Sequence, residues 1–341
     1  MAYKHLISSL QGFLADPTQA GVQKDIRSSM KALEYIFKFI IQSRVLQRNQ
    51  EKKGALAGKS EEVFREQLLT LFQGFNKMMA QTSPPALIGA QILALQNFAL
   101  IFKELAKVFD TRDLVKIAAS FIESVNNQNT TITVEKLKMI RGIVKSVLFE
   151  NNDSRSVLAP VVLRQVQQHL NPQDKDTMKP CMSILSEILD TLQTTQDEGE
   201  GALSVTSMLP RLLDAYNNLT EQDPKDELSE SPPPLFPLLY LLDVRYQPHV
   251  LAPTPAGISI NRALIANSIA MVYVAPTSVF SRLLEAQKRS NNLRPFLERL
   301  MDNFIDVLRH PVFPRQWAQI NQLTCRACLK LSTVVKAILD M

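Results

Sequence analysis

The chain has 341 residues, of which 45% are hydrophobic and 21% are charged, as expected for a folded protein with a real core. Glycine is scarce, with 10 residues, and long alternating β-branched runs are hard to find, so the composition favours helices over strands. The net charge of +5 is mild for this length and does not amount to the concentrated basic stripe expected of a nucleic-acid-binding protein.

The cysteine content and the N-terminus indicate the cytoplasm. Cys181, Cys325 and Cys328 leave an odd count and no disulfide framework. The N-terminus lacks the basic region and apolar core of a secretory signal. The most apolar later stretch, 263–276, is shorter than the roughly 18 residues that a membrane span needs. We therefore expect a cytoplasmic chain that reaches the plasma membrane only through another domain.

The first clear helical pattern is KALEYIFKFIIQSRVL, over 31–46. Apolar residues recur with the spacing of one helix face, at Leu33, Ile36, Phe37, Ile40 and Ile41. Tyr35 and Phe39 extend the apolar surface to a second side. The pattern predicts a helix packed between neighbours on both sides.

The next helix is predicted to open at Ser60. This residue is followed by Glu61 and Glu62, as at an N-cap with an acidic first turn. The same apolar period then continues through Phe64, Leu68, Leu71, Phe72, Phe75 and Met79.

The remaining helices are separated by short polar or proline-containing turns. They are predicted over 86–108, 113–125, 133–148, 157–170, 178–192, 203–219, 261–274, 278–287, 295–308 and 316–339. Roughly a dozen helices in this arrangement predict an all-α, irregular armadillo/HEAT-like solenoid. A compact helical domain is the alternative, because residue-level repeats are absent.

One segment, 223–259, interrupts the helical series with an acidic run and several prolines. It is interpreted as a loop or insertion between a first solenoid part, 1–222, and a last part, 260–341. Pro234 and Pro237 fit a minimal polyproline ligand, and Ser231-Pro232 fits a phosphorylation site. A loop that simply avoids helix is favoured over both.

Two motifs resemble binding sites but lack required parts. The glycine-rich stretch 54–60 has three residues between its glycines, where a phosphate-binding loop needs four, so an inter-helix loop is favoured. Cys325 and Cys328 have the spacing of a zinc knuckle, but no second ligand pair exists. A helical arrangement places both thiols on one apolar side, where we expect them to be buried. No cofactor or metal is expected.

No catalytic residue is predicted. The four histidines, His5, His169, His249 and His310, are scattered without a carboxylate or thiol partner. Trp317, the only tryptophan, is expected to anchor the last helix by packing.

Several stretches resemble the helical middle region of the DOCK (dedicator of cytokinesis) family, in the subgroups that act on Rac. The strongest likeness is in 33–44. The others follow in the same order along the chain at 71–79, 108–110, 154–160, 184–189, 296–304 and 312–317. The proline-rich segment and 214–218 depart from the family pattern.

The resemblance implies a function. Members of the family are guanine-nucleotide exchange factors for Rac or Cdc42, and their helical region lies between a lipid-binding domain and the exchange domain. Neither domain is expected in this chain, so it would be a non-catalytic scaffold. The implied partners are the neighbouring domains, a Rho-family GTPase and an ELMO-type adaptor. A free-standing solenoid adaptor that binds peptides is the alternative.

Overall fold

A computed structural model describes residues 2–50, 55–127, 129–170, 174–195, 199–222, 260–309 and 317–339. Within these ranges the chain is helical and contains no strand, so the predicted all-α class is confirmed. The helices form two compact units, Met1–Leu158 and Ala159–Met341.

The first unit contains ten helices, the last of which continues past the division. They are α1 Ala2–Ala15, α2 Val22–Lys31, α3 Leu33–Gln50, α4 Ala55–Met79, α5 Ile88–Phe98, α6 Phe102–Leu105, α7 Thr111–Ser124, α8 Thr130–Val144, α9 Val147–Glu150 and α10 Asn152–His169. Two 3₁₀ turns, Pro85–Leu87 and Ala99–Ile101, precede and follow α5. The second unit contains α11 Lys175–Thr195, α12 Glu200–Thr206, α13 Leu209–Gln222, α14 Ile260–Val274, α15 Thr277–Arg289, α16 Leu293–Arg309 and α17 Trp317–Leu339.

Helices of the first unit stack in two series. Helix α1 packs on α4 and α4 on α7, while α2 packs on α5 and α5 on α8. Each helix therefore contacts the helix three places further along the chain. Packing against sequence neighbours in successive layers is the arrangement of a solenoid, as predicted.

A row of phenylalanine rings runs through these layers. Phe37 of α3 stacks on Phe72 of α4 with ring centroids 5.5 Å apart, and Phe72 meets the edge of Phe98 of α5 at 6.2 Å. Phe98 in turn stacks on Phe121 of α7, with centroids 3.5 Å apart and planes 7° apart. All four rings are buried. The row joins four helices in one continuous apolar contact.

Polar side chains from neighbouring helices cap the C-terminal carbonyls of the first unit. Gln91 of α5 donates to Met78 O and Gln81 O at the end of α4, at 3.0 and 2.8 Å. The same role is played by Lys77 for Ala15 O of α1, Asn97 for Met30 O of α2, and Lys136 for Val125 O after α7. A helix end leaves its last carbonyls without intrahelical partners. These bonds therefore satisfy the helix ends and fix one layer on the next.

The second unit is organised around α14, which packs against α11, α13 and α17. Ser186 of α11 donates to Asn267 Oδ1 of α14 at 3.2 Å. Lys330 of α17 donates to Tyr273 O at 3.0 Å and to Ala275 O, at the end of α14. A lysine from a neighbouring helix again caps a helix end.

Several sequence predictions need correction. Tyr35 and Phe39 are 71% and 48% exposed, so α3 is not covered on the second side that they form. Ser60 is not an N-cap, because α4 already begins at Ala55. Two N-terminal helices, α1 and α2, were not predicted. The helix predicted over 203–219 is two helices, α12 and α13, and the one over 133–148 ends at Val144, before the short α9.

One helical run in the described residues, Pro85–Leu105, is long and apolar enough to cross a membrane. Helices α14 and α15 reach that length only together, across a bend of 115°. The run Pro85–Leu105 contains α5 and packs against α2, α3 and α8. Packing within the first unit buries most of its large apolar side chains, such as Phe98 and Phe102, while Leu100 is exposed. The segment 223–259 lies outside the described residues. Its interpretation as a loop or insertion, and the domain division based on it, therefore stay predictions.

The substitution Phe37→Ala is expected to lower the free energy of unfolding by about 3–5 kcal/mol, because it empties a fully buried site in the phenylalanine row. Denaturant unfolding followed by circular dichroism would measure the change. Phe39→Ala, two residues away and half exposed, is the matched control and should change the stability by less than about 1 kcal/mol. Equal losses in both variants would contradict the assignment of Phe37 to the core.

Lys136 predicts a pH dependence of stability. Burial lowers the pKa of Lys136 to about 8, although the nearby Glu123 opposes the shift. Between pH 8 and 10.5 the unfolded chain keeps a proton that the folded chain has released, so folding stability should rise with pH in this window.

Relative to Lys136→Met, the wild-type free energy of unfolding should rise by on the order of 2–3 kcal/mol from pH 8 to pH 10.5. Urea titrations across this range would measure it. Lys138→Met is the control, because Lys138 lies on the exposed side of the same helix. Parallel plots of unfolding free energy against pH for wild type and Lys136→Met would show that Lys136 does not cause the pH dependence.

Candidate functional site

The glycine-rich stretch does not form the predicted loop where the structure describes it. Residues 55–60 belong to α4, while Gly54 lies outside the described residues. The first-turn N–H groups of a helix are free to bind a phosphate, but a phosphate-binding loop also follows a strand, and the described residues contain no strand.

The two cysteines of α17 differ in their surroundings. Cys325 is exposed and Cys328 is half-buried, so the prediction that both are buried is wrong for Cys325. Burial is the larger cause that raises the pKa of the Cys328 thiol, and the neighbouring Cys325 is the smaller one. Among the described residues no group of three histidine, cysteine or carboxylate side chains lies close enough to hold a metal ion.

The other sequence candidates do not come together in the described residues. His5 is exposed on α1, and His169 is half-buried at the end of α10. His249, His310, and the proline motif with Ser231, Pro234 and Pro237 lie outside the described residues, as does the Trp317 side chain.

The motif at 154–160 has a structural role in its first two residues. Arg155 donates to Phe149 O at 2.8 Å, and Ser154 donates to Leu148 O at 2.5 Å. Both side chains are buried. They close the end of the short helix α9, whose carbonyls would otherwise lack partners.

The feature best suited to an interaction is an apolar stripe on α3. Tyr35, Phe39 and Leu46 are 71%, 48% and 63% exposed, and their spacing places them within about 40° of one another around the helix. Leu100, which is 49% exposed, adds apolar surface on the neighbouring Ala99–Ile101 turn, which packs on α3. We call these four residues, with Lys38 and Lys103, the α3 surface. Sequence periodicity revealed Tyr35 and Phe39 but assigned them to a buried side.

A buried carboxylate lies beside the α3 surface. Glu104 of α6 accepts hydrogen bonds from Gln42 of α3 at 3.1 Å and from Lys107 at 2.7 Å. Burial by itself would raise the pKa of Glu104, but these hydrogen bonds and the charges of Lys107 and Lys38 lower it below its usual value. The carboxylate therefore stays ionised and joins α3 to α6 beneath the exposed residues.

The stacked layers, the caps between them and the exposed stripe define an α-helical repeat region with a surface suited to protein binding. A family model takes the identification further. The model described as the dedicator of cytokinesis (DOCK) TPR region matches residues 1–340, so the chain belongs to the DOCK family. The family predicted from the sequence is confirmed.

Curated relatives agree with this assignment. The chain is 28% identical over 330 residues to dedicator of cytokinesis protein 3 of Mus musculus, and 27% identical over 322 residues to dedicator of cytokinesis protein 4 of Homo sapiens. The alignments cover 95% and 93% of this chain. The chain spans about 15% of the length of these relatives.

The three cysteines should react with iodoacetamide in the order Cys325, Cys328, Cys181. Cys325 is exposed, while burial raises the pKa of Cys328, and raises that of the fully buried Cys181 to about 12. Alkylation follows the accessible thiolate fraction. Mass spectrometry of the native chain at pH 8 would give the rates. In guanidinium chloride all three should react alike. Native alkylation of Cys181 as fast as Cys325 would contradict its buried position.

Proposed function

We propose that this chain is the non-catalytic helical scaffold segment of a DOCK-type guanine-nucleotide exchange factor for Rho-family GTPases of the Rac/Cdc42 class. The supporting observation is the match of the family's TPR region to residues 1–340. In the proposed role the segment connects a lipid-binding domain to an exchange domain, both outside the matched region, in small-GTPase signalling to the actin cytoskeleton.

The packing of the first unit suits a spacer. A chain of stacked helices transmits force only as well as its neighbouring layers hold together. Here the layers share the row from Phe37 to Phe121 and are joined by bonds such as that from Gln91 to Met78 O. Breaking one layer contact would cost both apolar burial and a satisfied helix end. Such a unit would keep the distance between its two ends nearly constant.

The proposal includes partners. They are the neighbouring domains of the parent protein, a Rho-family GTPase and an ELMO-type adaptor. The place of action is the cytoplasm, with recruitment to the plasma membrane through the lipid-binding domain and no nucleic acid involved.

A second candidate function is a free-standing adaptor that binds peptides or protein partners. The exposed Tyr35, Phe39 and Leu46 favour it, because a spacer alone needs no apolar stripe. The two functions can be separated by replacing the corresponding segment of a DOCK-family exchange factor with a flexible glycine/serine linker of equal reach. A spacer role predicts loss of exchange on lipid vesicles while exchange in solution is retained. Unchanged activity on vesicles would favour the adaptor.

The isolated chain should not accelerate nucleotide release from Rac. The assay follows a fluorescent guanine nucleotide leaving loaded Rac, with and without the chain in excess. A full-length DOCK-family exchange factor for Rac is the positive control. Release above the spontaneous rate, and rising with the concentration of the chain, would contradict the non-catalytic proposal.

A further inference from the structure

The α3 surface combines exposed apolar side chains with lysines. Three large apolar residues of α3, Tyr35, Phe39 and Leu46, line up along about 16 Å of the helix, at 1.5 Å per residue. Leu100, on the turn that packs on α3, adds exposed apolar area. Exposing several large apolar groups in one line costs free energy in water, and such patches on folded proteins mark binding sites.

The charges around this stripe are mainly positive. Lys38 lies on α3 next to the stripe, and Lys103 lies on the same face of its helix as Leu100. Both side chains are exposed, and within the described ranges neither forms an ion pair. Two carboxylates lie near Lys38: Glu104, which is 9% exposed and bonded to Lys107 and Gln42, and Glu34, which is half-buried one turn earlier on α3. The exposed charged side chains beside the stripe, Lys38 and Lys103, are thus both positive.

We infer that the α3 surface binds an acidic amphipathic helix of a partner protein. Leucine-type side chains of such a helix would cover Tyr35, Phe39 and Leu46, and its carboxylates would face Lys38 and Lys103. A stripe of about 16 Å matches three turns of helix, which supply apolar residues at the i, i+4, i+7 and i+11 positions. The opposite charges would steer the encounter and set the orientation of the helix.

An anionic membrane would meet the same lysines, but it fits the surface less well. Acyl chains over the stripe would also cover the Gln42 amide and the Glu104 carboxylate, which together form a polar site beside it. Under acyl chains the part of this ionised site that is still exposed would lose its contact with water, at a cost in free energy. A peptide helix can leave them wet or bond them, so the observations favour protein over lipid.

The test uses a fluorescein-labelled helical peptide of 16 residues with leucines along one face and glutamates on both flanks. The control peptide carries lysines in place of the glutamates. Fluorescence anisotropy with the intact chain should give a Kd on the order of 10–100 μM for the acidic peptide and no saturable binding for the basic one. The affinity should fall as salt rises, since exposed charges are screened.

Variants locate the site. The double variants Tyr35→Ser/Phe39→Ser and Lys38→Glu/Lys103→Glu should each weaken acidic-peptide binding at least about tenfold. The charge-reversed variant should gain binding of the basic peptide, which a misfolded protein would not show. The control Val63→Ser/Arg112→Glu changes one exposed apolar and one exposed basic residue on α4 and α7, and it should bind like wild type.

Three results would overturn the inference. They are equal binding of both peptides, full affinity in both α3-surface variants, and binding of phosphatidylserine vesicles in the absence of acidic-peptide binding. The inference rests on an interaction role for the segment in the proposed function. The linker replacement tests the scaffold role in a protein that has no α3 surface. The peptide assay tests the α3 surface in a chain without an exchange domain. A failure of the inference can therefore be told apart from a failure of the proposed function.

Discussion

The first unit depends most on the contacts of one ring, Phe98. It touches Phe72 of α4, Phe102 of α6 and Phe121 of α7, and through Phe72 it reaches Phe37 of α3. Each ring is buried, so every pair contributes apolar area as well as ring geometry. Because the row crosses both stacked series, loosening Phe98 would loosen α3, α4, α5 and α7 together. The stiffness proposed for a spacer therefore depends first on the ring contacts of Phe98.

Hydrogen bonds at the helix ends supplement the apolar contacts and make the packing of the layers directional. Few glycines are present to end helices in the left-handed conformation, so the last carbonyls take donors from elsewhere. Gln91 and Lys136 reach across from the next helix, and in the second unit Lys330 of α17 caps the end of α14. Hydrogen bonds depend on geometry more sharply than apolar contacts do, so they fix the register in which the layers stack. The core and the caps face inward, whereas the apolar side chains of the α3 surface face solvent.

Sequence periodicity predicted most helices of the described chain and the all-α class, because apolar residues at 3.6-residue spacing face a core wherever helices stack. The DOCK family came instead from the resemblance of particular stretches, above all the one around Phe37. Periodicity could not show whether Tyr35 and Phe39 are buried or exposed, because that depends on which helices come to lie beside α3. The caps were missed for a similar reason, since Gln91 and the carbonyls it bonds meet only after folding. The α3 surface was therefore visible as apolar residues in the sequence, but not as a surface.

Native-state hydrogen exchange on the Phe98→Leu variant tests most directly whether the first unit is one cooperative body. Leucine keeps most of the apolar volume but removes the ring contacts to Phe72, Phe102 and Phe121. If the phenylalanine row couples the layers, amide protection in α3, α4, α5 and α7 will fall by the same free energy, because these helices open together. Loss of protection confined to α5, with α3 and α7 unchanged, would show that the layers open independently and would contradict the account.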